Sequence, residues 1–292
     1  MLAFPNVKIN LGLNVVAKRA DGYHTLQSVF YPVKGLFDVL ELLPATEAAN
    51  IEYTDKTVKP LAVDYATVGK LQLAVTGIAI PGNADDNLLV KAYNVIDAEH
   101  NLPEAKAHLH KLVPTGAGIG GGSADGTFFI KLLNDVFKLA LDDAAIQAYA
   151  AQLGSDCPFF ILNNPAYVFS RGDEFEAIDL LLEGYYITIV KPPIHVSTAA
   201  AFANIIPAMP EKNVKDIVQL PIEQWKGFLA NDFEASVAKQ FPQITDIKEQ
   251  LYTSGAIYAS MSGSGSSVYG IFKEEPVLPV FPMDYFVWKG RL

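Results

Sequence analysis

Six glycines crowd into the thirteen residues PTGAGIGGGSADG, from Pro114 to Gly126. Glycine loses more conformational freedom on folding than any other residue, so ordering such a run carries a high entropic cost. On one side stands KAHLHKLVP (Lys106–Pro114), which reads as a strand; on the other stands TFFIKLLNDVFKLA, which reads as a helix. Strand, glycine run and helix in that order aim free amides and the positive end of a helix dipole at an anion, and a phosphate chain suits them best. Ser123 adds a hydroxyl for a phosphate or a magnesium ion. The run is not a Walker A loop, since no Gly-Lys-Ser/Thr follows at the required spacing. It also misses the dinucleotide fingerprint, which needs an acidic residue at a strand end about 20 residues later. The competing reading is a mobile surface turn.

Two further stretches bear on the same chemistry. In LGSDCPFF, Asp156 sits between a helix end and an apolar segment, where a partly buried carboxylate needs a partner. It could act as a base or orient an attacking hydroxyl, but from spacing alone a cap or turn aspartate is the simpler reading. In MSGSGSSV (Met261–Val268), a glycine-serine turn joins two strand-like segments, either as a plain hairpin or as backbone packed against the first glycine loop. Lys8 is a lone lysine on a strand's polar face, ordinarily just solvated. Tyr23 and His24 follow a turn, where exposed aromatics are common. His100, His108, His110 and His195 form no HExxH or comparable metal pattern.

The elements that must position these residues follow from periodicity. VKINLGLNV alternates from Val7 to Val15, with Lys8, Asn10, Gly12 and Asn14 on the face opposite the apolar residues. That second face should border water or a site. LQSVFYPV and DVLELLP read as further strands. Asp85, Asp86 and Asn87 read as caps of a helix through NLLVKAYNVIDAEHN, and Asp142 as the cap of a short helix ending at Gly154. Phe128, Phe129, Leu132, Leu133, Val136 and Phe137 form one helical stripe. DCPFFIL reads as strand-like, and Asn163-Asn164-Pro165 as a domain boundary. AYVFSRG and YYITIVKPP read as strands, HVSTAAAFANI and QITDIKEQLYTSGA as helical. The expectation is an α+β protein of two lobes, 1–162 and 163–292.

With 292 residues the chain can bury a sizeable core. A net charge of -10 and the absence of a basic run longer than Lys18-Arg19 argue against nucleic acid as partner. Backbone amides can still bind a small anion without net positive charge. Cys157 is the single cysteine, which excludes an intrachain disulfide and a metal site built on paired cysteines. MLAFPNVKIN lacks the features of a signal peptide, and no apolar run is long enough for a membrane span. The expected location is cytoplasmic, with no membrane partner.

The three motifs and their order resemble the GHMP kinase superfamily, which carries an N-terminal motif, a central PxGxGLGSSxA-like loop and a late glycine motif. Here the last two are PTGAGIGGGSADG and SMSGSGSSVYGIF. The triple glycine, KINLGLNVVAKRADGYHTLQSVF and LGSDCPFF resemble in particular the branch whose acceptor is a cytidine diphosphate-linked sugar alcohol. The resemblance implies a two-lobed GHMP kinase fold with an active-site cleft between lobes, ATP and Mg²⁺ as cofactors, a small-molecule substrate, and a monomer or weak homodimer. It implies Lys8 and Asp156 as the catalytic pair. It implies an ATP phosphate loop made of Pro114, Thr115, Gly116, Ala117, Gly118, Ile119, Gly120, Gly121, Gly122, Ser123 and Ala124. On the substrate side it implies Asn10, Tyr23 and His24, with Thr198 and Phe202 as the far wall and Phe202 stacking on the cytosine. The superfamily pattern continues GGGSS with Asn or Asp and two alanines, whereas here the run is GGGSADGT. Ala45–Val68, where the adenine pocket would be sought, matches poorly. A homoserine or mevalonate kinase, which needs no clamp for a pyrimidine, is the other reading. A nucleotide-binding regulator without turnover would keep the loop but need no Lys8–Asp156 pair.

Overall fold

The computed structural model describes residues 1–45, 64–203 and 205–292, with only the backbone of Tyr65. Most of the poorly matched Ala45–Val68 stretch, 46–63, therefore lies outside the described residues. The chain forms two compact units. The first comprises Met1–Asn6, Phe37–Thr115 and Gly121–Leu162; the second comprises Val7–Leu36, Gly116–Gly120 and Asn163–Leu292. The division is thus not a single cut at 162/163. Strand pairing is the reason: Asn6–Lys18 and His24–Phe37 share a four-stranded sheet with Ala166–Phe169 and Glu174–Ala177.

The first unit is a five-stranded sheet covered by helices. The strand order is Leu2–Ala3, Val39–Pro44, Ala105–Lys111, Leu71–Gly77, Asp64–Val68. Leu71, Leu73 and Val75 stand in parallel register with Ala105, Ala107 and Leu109, while Leu40 and Leu42 pair antiparallel with Leu109 and Ala107. Register therefore gathers the apolar residues of three strands on one face. A parallel pair needs a crossover, and the helix Leu88–His100 lies between the two strands in sequence. Asn87 caps it, its side chain accepting from the Leu89 amide; Asp85 and Asp86 lie instead in a preceding 3-10 turn, Ala84–Asp86. Helices Gly121–Phe137 and Asp143–Leu153 complete the cover, the latter capped by Asp142 as expected. Phe129, Leu132, Leu133, Tyr93 and Ile96 are buried against the sheet.

Two differences from the sequence reading matter for the site. The helix after the glycine run begins at Gly121, so half of the run is helical. DCPFFIL is not a strand: Phe159–Leu162 forms a helical turn, with Pro158 just before it in the place where a missing amide costs nothing.

The second unit holds two four-stranded sheets, the one above and one ordered Tyr258–Met261, Val268–Phe272, Tyr186–Lys191, Phe286–Arg291. Helices Asp232–Gln240 and Gln243–Thr253 contribute Phe233, Ile244, Ile247 and Leu251 to a core shared with Leu13 and Val15. Strand Asn6–Lys18 is not half solvated: Lys8, Asn10 and Asn14 are buried, as are Val7, Ile9 and Leu11. A buried polar face needs partners, and those partners lead to the site.

Candidate active site

In the second unit, the central residues of the glycine run are clasped through their carbonyls. The Ser267 amide donates to Ala117, the Ser262 hydroxyl to Gly118 at 2.8 Å, and the Lys8 amide to Ile119 at 2.9 Å. Three successive carbonyls are thereby spent on protein donors. Gly116, Gly118 and Gly120 have φ of +60°, +74° and +72°, while Ala117 and Ile119 between them do not enter that region. Alternation of this kind turns successive amides towards one concave side, the arrangement that binds anions. Gly118 is further fixed by space, since a Cβ there would stand 2.2 Å from the Ser262 carbonyl oxygen. The late glycine turn is therefore backbone packed on the first loop, not a plain hairpin. His195, bland in sequence, also belongs here: its Nδ1 would meet a Cβ on Gly116 at 3.1 Å.

Lys8 and Asn10 are tied into this clasp. Lys8 Nζ donates to Asn10 Oδ1 at 2.5 Å and lies 3.9 Å from the centroid of the Phe30 ring. Asn10 Nδ2 donates to Ser28 Oγ, which donates to the Gly12 carbonyl, and the Asn10 amide donates to Ser262 Oγ. The Tyr269 hydroxyl donates to the Asn10 carbonyl at 2.8 Å. Lys8 is an almost fully buried ammonium, not the solvated lysine its position suggests.

The first unit carries the start of the helix and Asp156. Gly121, Gly122 and Ser123 form the first turn, whose amides have no intrahelical partner. Downstream, Thr127 Oγ1 donates to the Cys157 carbonyl at 2.8 Å, and Lys131 Nζ donates to the carbonyls of Phe160 and Ile161. Those three bonds hold the turn that bears Asp156 on the helix, and none of them uses the Asp156 carboxyl. Asp156 is half-buried, with Ser155 Oγ 3.4 Å away. Burial pushes the neighbouring Cys157 thiol up to about 11, so it is no nucleophile at neutral pH.

Beneath the same helix lies a cluster the sequence did not announce. Lys111 Nζ contacts Asp38 Oδ2 at 2.5 Å and Asp125 Oδ2 at 2.7 Å, and all three side chains are buried. Asp38 Oδ1 accepts from the amides of Leu112 and Val113 at 2.6 and 2.9 Å. Burial raises the Asp125 carboxyl well above the carboxylate range, Lys111 opposes that and Asp38 adds to it. One signal was available in sequence: Asp125 stands four residues before Phe129, on the apolar stripe of its helix.

The remaining expected residues lie in the second unit. His24 and Phe202 are stacked on each other, with ring centroids 4.7 Å apart and planes within 20°. Phe202 closes the short helix Thr198–Phe202, whose first residue is the exposed Thr198 and whose cap is Ser197. Tyr23 is exposed, with the Arg171 guanidinium 5.3 Å from its ring centroid. Lys8, Asn10, Tyr23, His24, Thr198 and Phe202 thus fall in one unit, with loop residues 116–120; Asp156 and the helix start fall in the other.

Two family models match the chain's sequence. Residues 87–164 match the GHMP kinases N terminal domain, and residues 215–278 the GHMP kinases C terminal domain. A protein of Bacteroides thetaiotaomicron named 4-diphosphocytidyl-2-C-methyl-D-erythritol kinase is 48% identical over 294 residues, covering all of both chains. The chain belongs to the 4-diphosphocytidyl-2-C-methyl-D-erythritol kinase family of GHMP kinases. A crystal structure of 4-(cytidine 5'-diphospho)-2C-methyl-D-erythritol kinase is 25% identical with a TM-score of 0.72, over 93% of this chain and 90% of that one. The Methanococcus jannaschii mevalonate kinase shares the fold alone, at 13% identity and a TM-score of 0.63 over 100% of this chain and 98% of that one. The fold of this family member is α+β, as expected. Among the described residues, no three His, Cys, Asp or Glu side chains gather into a metal site. A nucleotide-borne Mg²⁺ does not require one, because phosphate oxygens and water supply most of its ligands. The half-buried Ser123 hydroxyl in the first helical turn could supply such an ion with a protein oxygen.

Proposed function

We propose that the chain transfers the γ-phosphoryl group of ATP to the 2-hydroxyl of 4-diphosphocytidyl-2-C-methyl-D-erythritol, a step of non-mevalonate isoprenoid biosynthesis. The observation that supports this most is the loop of alternating φ whose carbonyls are already engaged, leaving its amides for phosphate oxygens. Phosphoryl transfer passes through a loose transition state, so positioning and charge neutralisation dominate. Loop amides 116–122 hold the phosphate chain. Ser123 would hold a Mg²⁺ ion, which would neutralise phosphate charge. Asp156 orients the tertiary hydroxyl and accepts its proton, and Lys8 offsets the charge that develops on the transferring group. Asn10 fixes Lys8 through the 2.5 Å bond. Thr198 and Phe202 wall the base site; Tyr23 and Phe202 take the two faces of the cytosine and His24 its edge.

The test is a panel. Purified protein with ATP and Mg²⁺ is offered 4-diphosphocytidyl-2-C-methyl-D-erythritol, homoserine and mevalonate, with ADP release followed and the product identified by its new phosphomonoester resonance. Turnover confined to the cytidine substrate is expected. Efficient turnover of either small alcohol would leave a GHMP kinase with a different acceptor.

The base site makes a graded prediction. His24 already stacks on Phe202, with ring centroids 4.7 Å apart, so a base that takes this face of Phe202 must first displace the imidazole to its edge. Phe202→Ala loses a base stack of about 1–3 kcal/mol but also removes a ring pair, about 0.5–1.5 kcal/mol, that binding would otherwise break. The net loss of about 1 kcal/mol should raise KM for the cytidine substrate about fivefold to tenfold and leave KM for ATP unchanged. An unchanged KM for the cytidine substrate would remove Phe202 from the site.

The loop is tested best at Gly122. A Cβ on Gly121 would stand 2.9 Å from Val113 Cγ1, so any substitution there disturbs packing as well. Gly122 is exposed, and its nearest neighbour would be Leu88 Cδ1 at 3.9 Å. Gly122→Val should therefore fold with an unaltered melting temperature and weaken MgATP binding about fivefold by shielding the first-turn amides. Wild-type affinity in the folded variant would move the phosphates elsewhere.

A further inference from the structure

We propose that the buried Asp38–Lys111–Asp125 cluster is the positioning element of the nucleotide site. It fixes where the chain leaves the strand Ala105–Lys111 and where the helix Gly121–Phe137 begins, and so sets affinity for ATP without touching it. The inference rests on the reading of the glycine run as a phosphate cradle.

The geometry carries it in three steps. At the loop's entry, Asp38 Oδ1 accepts both the Leu112 and the Val113 amides, the last two donors before Pro114. At its exit, Asp125 stands in the second turn of the helix and reaches back to Lys111. Between them Lys111 Nζ bridges the two carboxylates, at 2.5 and 2.7 Å. Gly121 itself rests on this cluster: a Cβ there would meet Val113 Cγ1 at 2.9 Å and lie 3.8 Å from Lys111 Nζ. Strand exit, cluster and helix start thus form one packed body, and the positions of the first-turn amides follow from it.

Stability alone does not account for such a cluster. A buried ion pair is commonly replaceable by apolar side chains with no loss of stability, because desolvation offsets the attraction. Here one buried ammonium serves two buried acidic side chains, and it engages only one oxygen of Asp125. What the arrangement provides that apolar packing would not is direction. Each of its bonds is short and aimed, and two end on backbone amides at the mouth of the loop.

The experiment compares Asp125→Leu, which keeps bulk and removes the acceptor for Lys111, with Asp125→Asn, which keeps an acceptor. The full chain is used throughout. MgATP affinity is measured by calorimetry without acceptor, and KM for each substrate by turnover. Asp125→Leu should weaken MgATP binding about fivefold to tenfold, with KM for the cytidine substrate unchanged within about twofold. Asp125→Asn should restore wild-type affinity within about twofold. A cluster that served stability only would lower the melting temperature of Asp125→Leu and leave MgATP affinity unchanged, and that result overturns the proposal. So does equal weakening of both substrates. Should Asp125→Leu not fold, Asp38→Asn decides: it keeps the oxygen that the two amides need and loses the anion facing Lys111. It should weaken MgATP binding at least about threefold, and wild-type affinity in that variant overturns the proposal equally. Failure of the wild-type chain to bind MgATP would overturn the cradle reading as well, whereas an unaffected Asp125→Leu or Asp38→Asn overturns this inference alone.

Discussion

Lys8→Met should lower kcat by about 10²–10³-fold, the loss typical when one preorganised donor to a developing charge is removed. The structure makes this a clean substitution. Lys8 runs along a strand buried on both faces and lays its ammonium against the Phe30 ring. Methionine has a similar length, and its thioether packs well on an aromatic ring. Asn10 loses one bond at Oδ1 but keeps its bond to Ser28 and its amide bond to Ser262. The melting temperature should therefore stay near that of the wild type, and so should MgATP affinity, because the Lys8 contact to the loop is made by its backbone amide. A kcat within tenfold of wild type in the folded variant would exclude Lys8 from the chemistry.

Asp156→Asn should lower kcat by at least about 10²-fold, the lower end of what acid–base groups contribute. The turn that bears it is held by Thr127 and Lys131 through backbone carbonyls, so the change removes charge and basicity without moving the chain. Binding of both substrates should persist. The double variant supplies a sharper check. Residues that act on one transition state are non-additive, so Lys8→Met with Asp156→Asn should be little worse than the poorer single variant. Full multiplication of the two effects would show that they serve separate steps.

Legibility in the sequence divides by range. The strand Ala105–Lys111, the helix Leu88–His100 and its Asn87 cap were readable, because each follows from residues within a turn or a pleat of one another. The glycine run was readable as shaped backbone between that strand and a helix for the same reason: glycine's conformational freedom is local. Its true extent was not, because glycine's low helix propensity is overridden at Gly121 by packing on Val113. Phe159–Leu162 misled because a short apolar run fits a buried strand and a buried helical turn alike. The second face of Val7–Val15 was left open between water and a site, since alternation shows that two faces differ and not what the second one meets; that face is buried. Asp38, Lys111 and Asp125 were invisible as a set, for 73 residues separate the first two. No window of sequence contains that meeting.

The clasp on the glycine run has a consequence for how this chain is made. Its carbonyls are gripped from Lys8 on one side and from Ser262 and Ser267 on the other, and Gly118 and Ser262 stand 144 residues apart. A chain emerging from the ribosome possesses the loop early but cannot shape it until the stretch through Ser267 has left the exit tunnel. On the reading of this loop as a phosphate cradle, nucleotide has nothing to bind during most of synthesis and cannot template folding of the N-terminal half. Products terminated before Ser267 should be inert bystanders that draw down no ATP, and ligand-induced protection from proteolysis should arise abruptly, once Ser267 is clear of the ribosome.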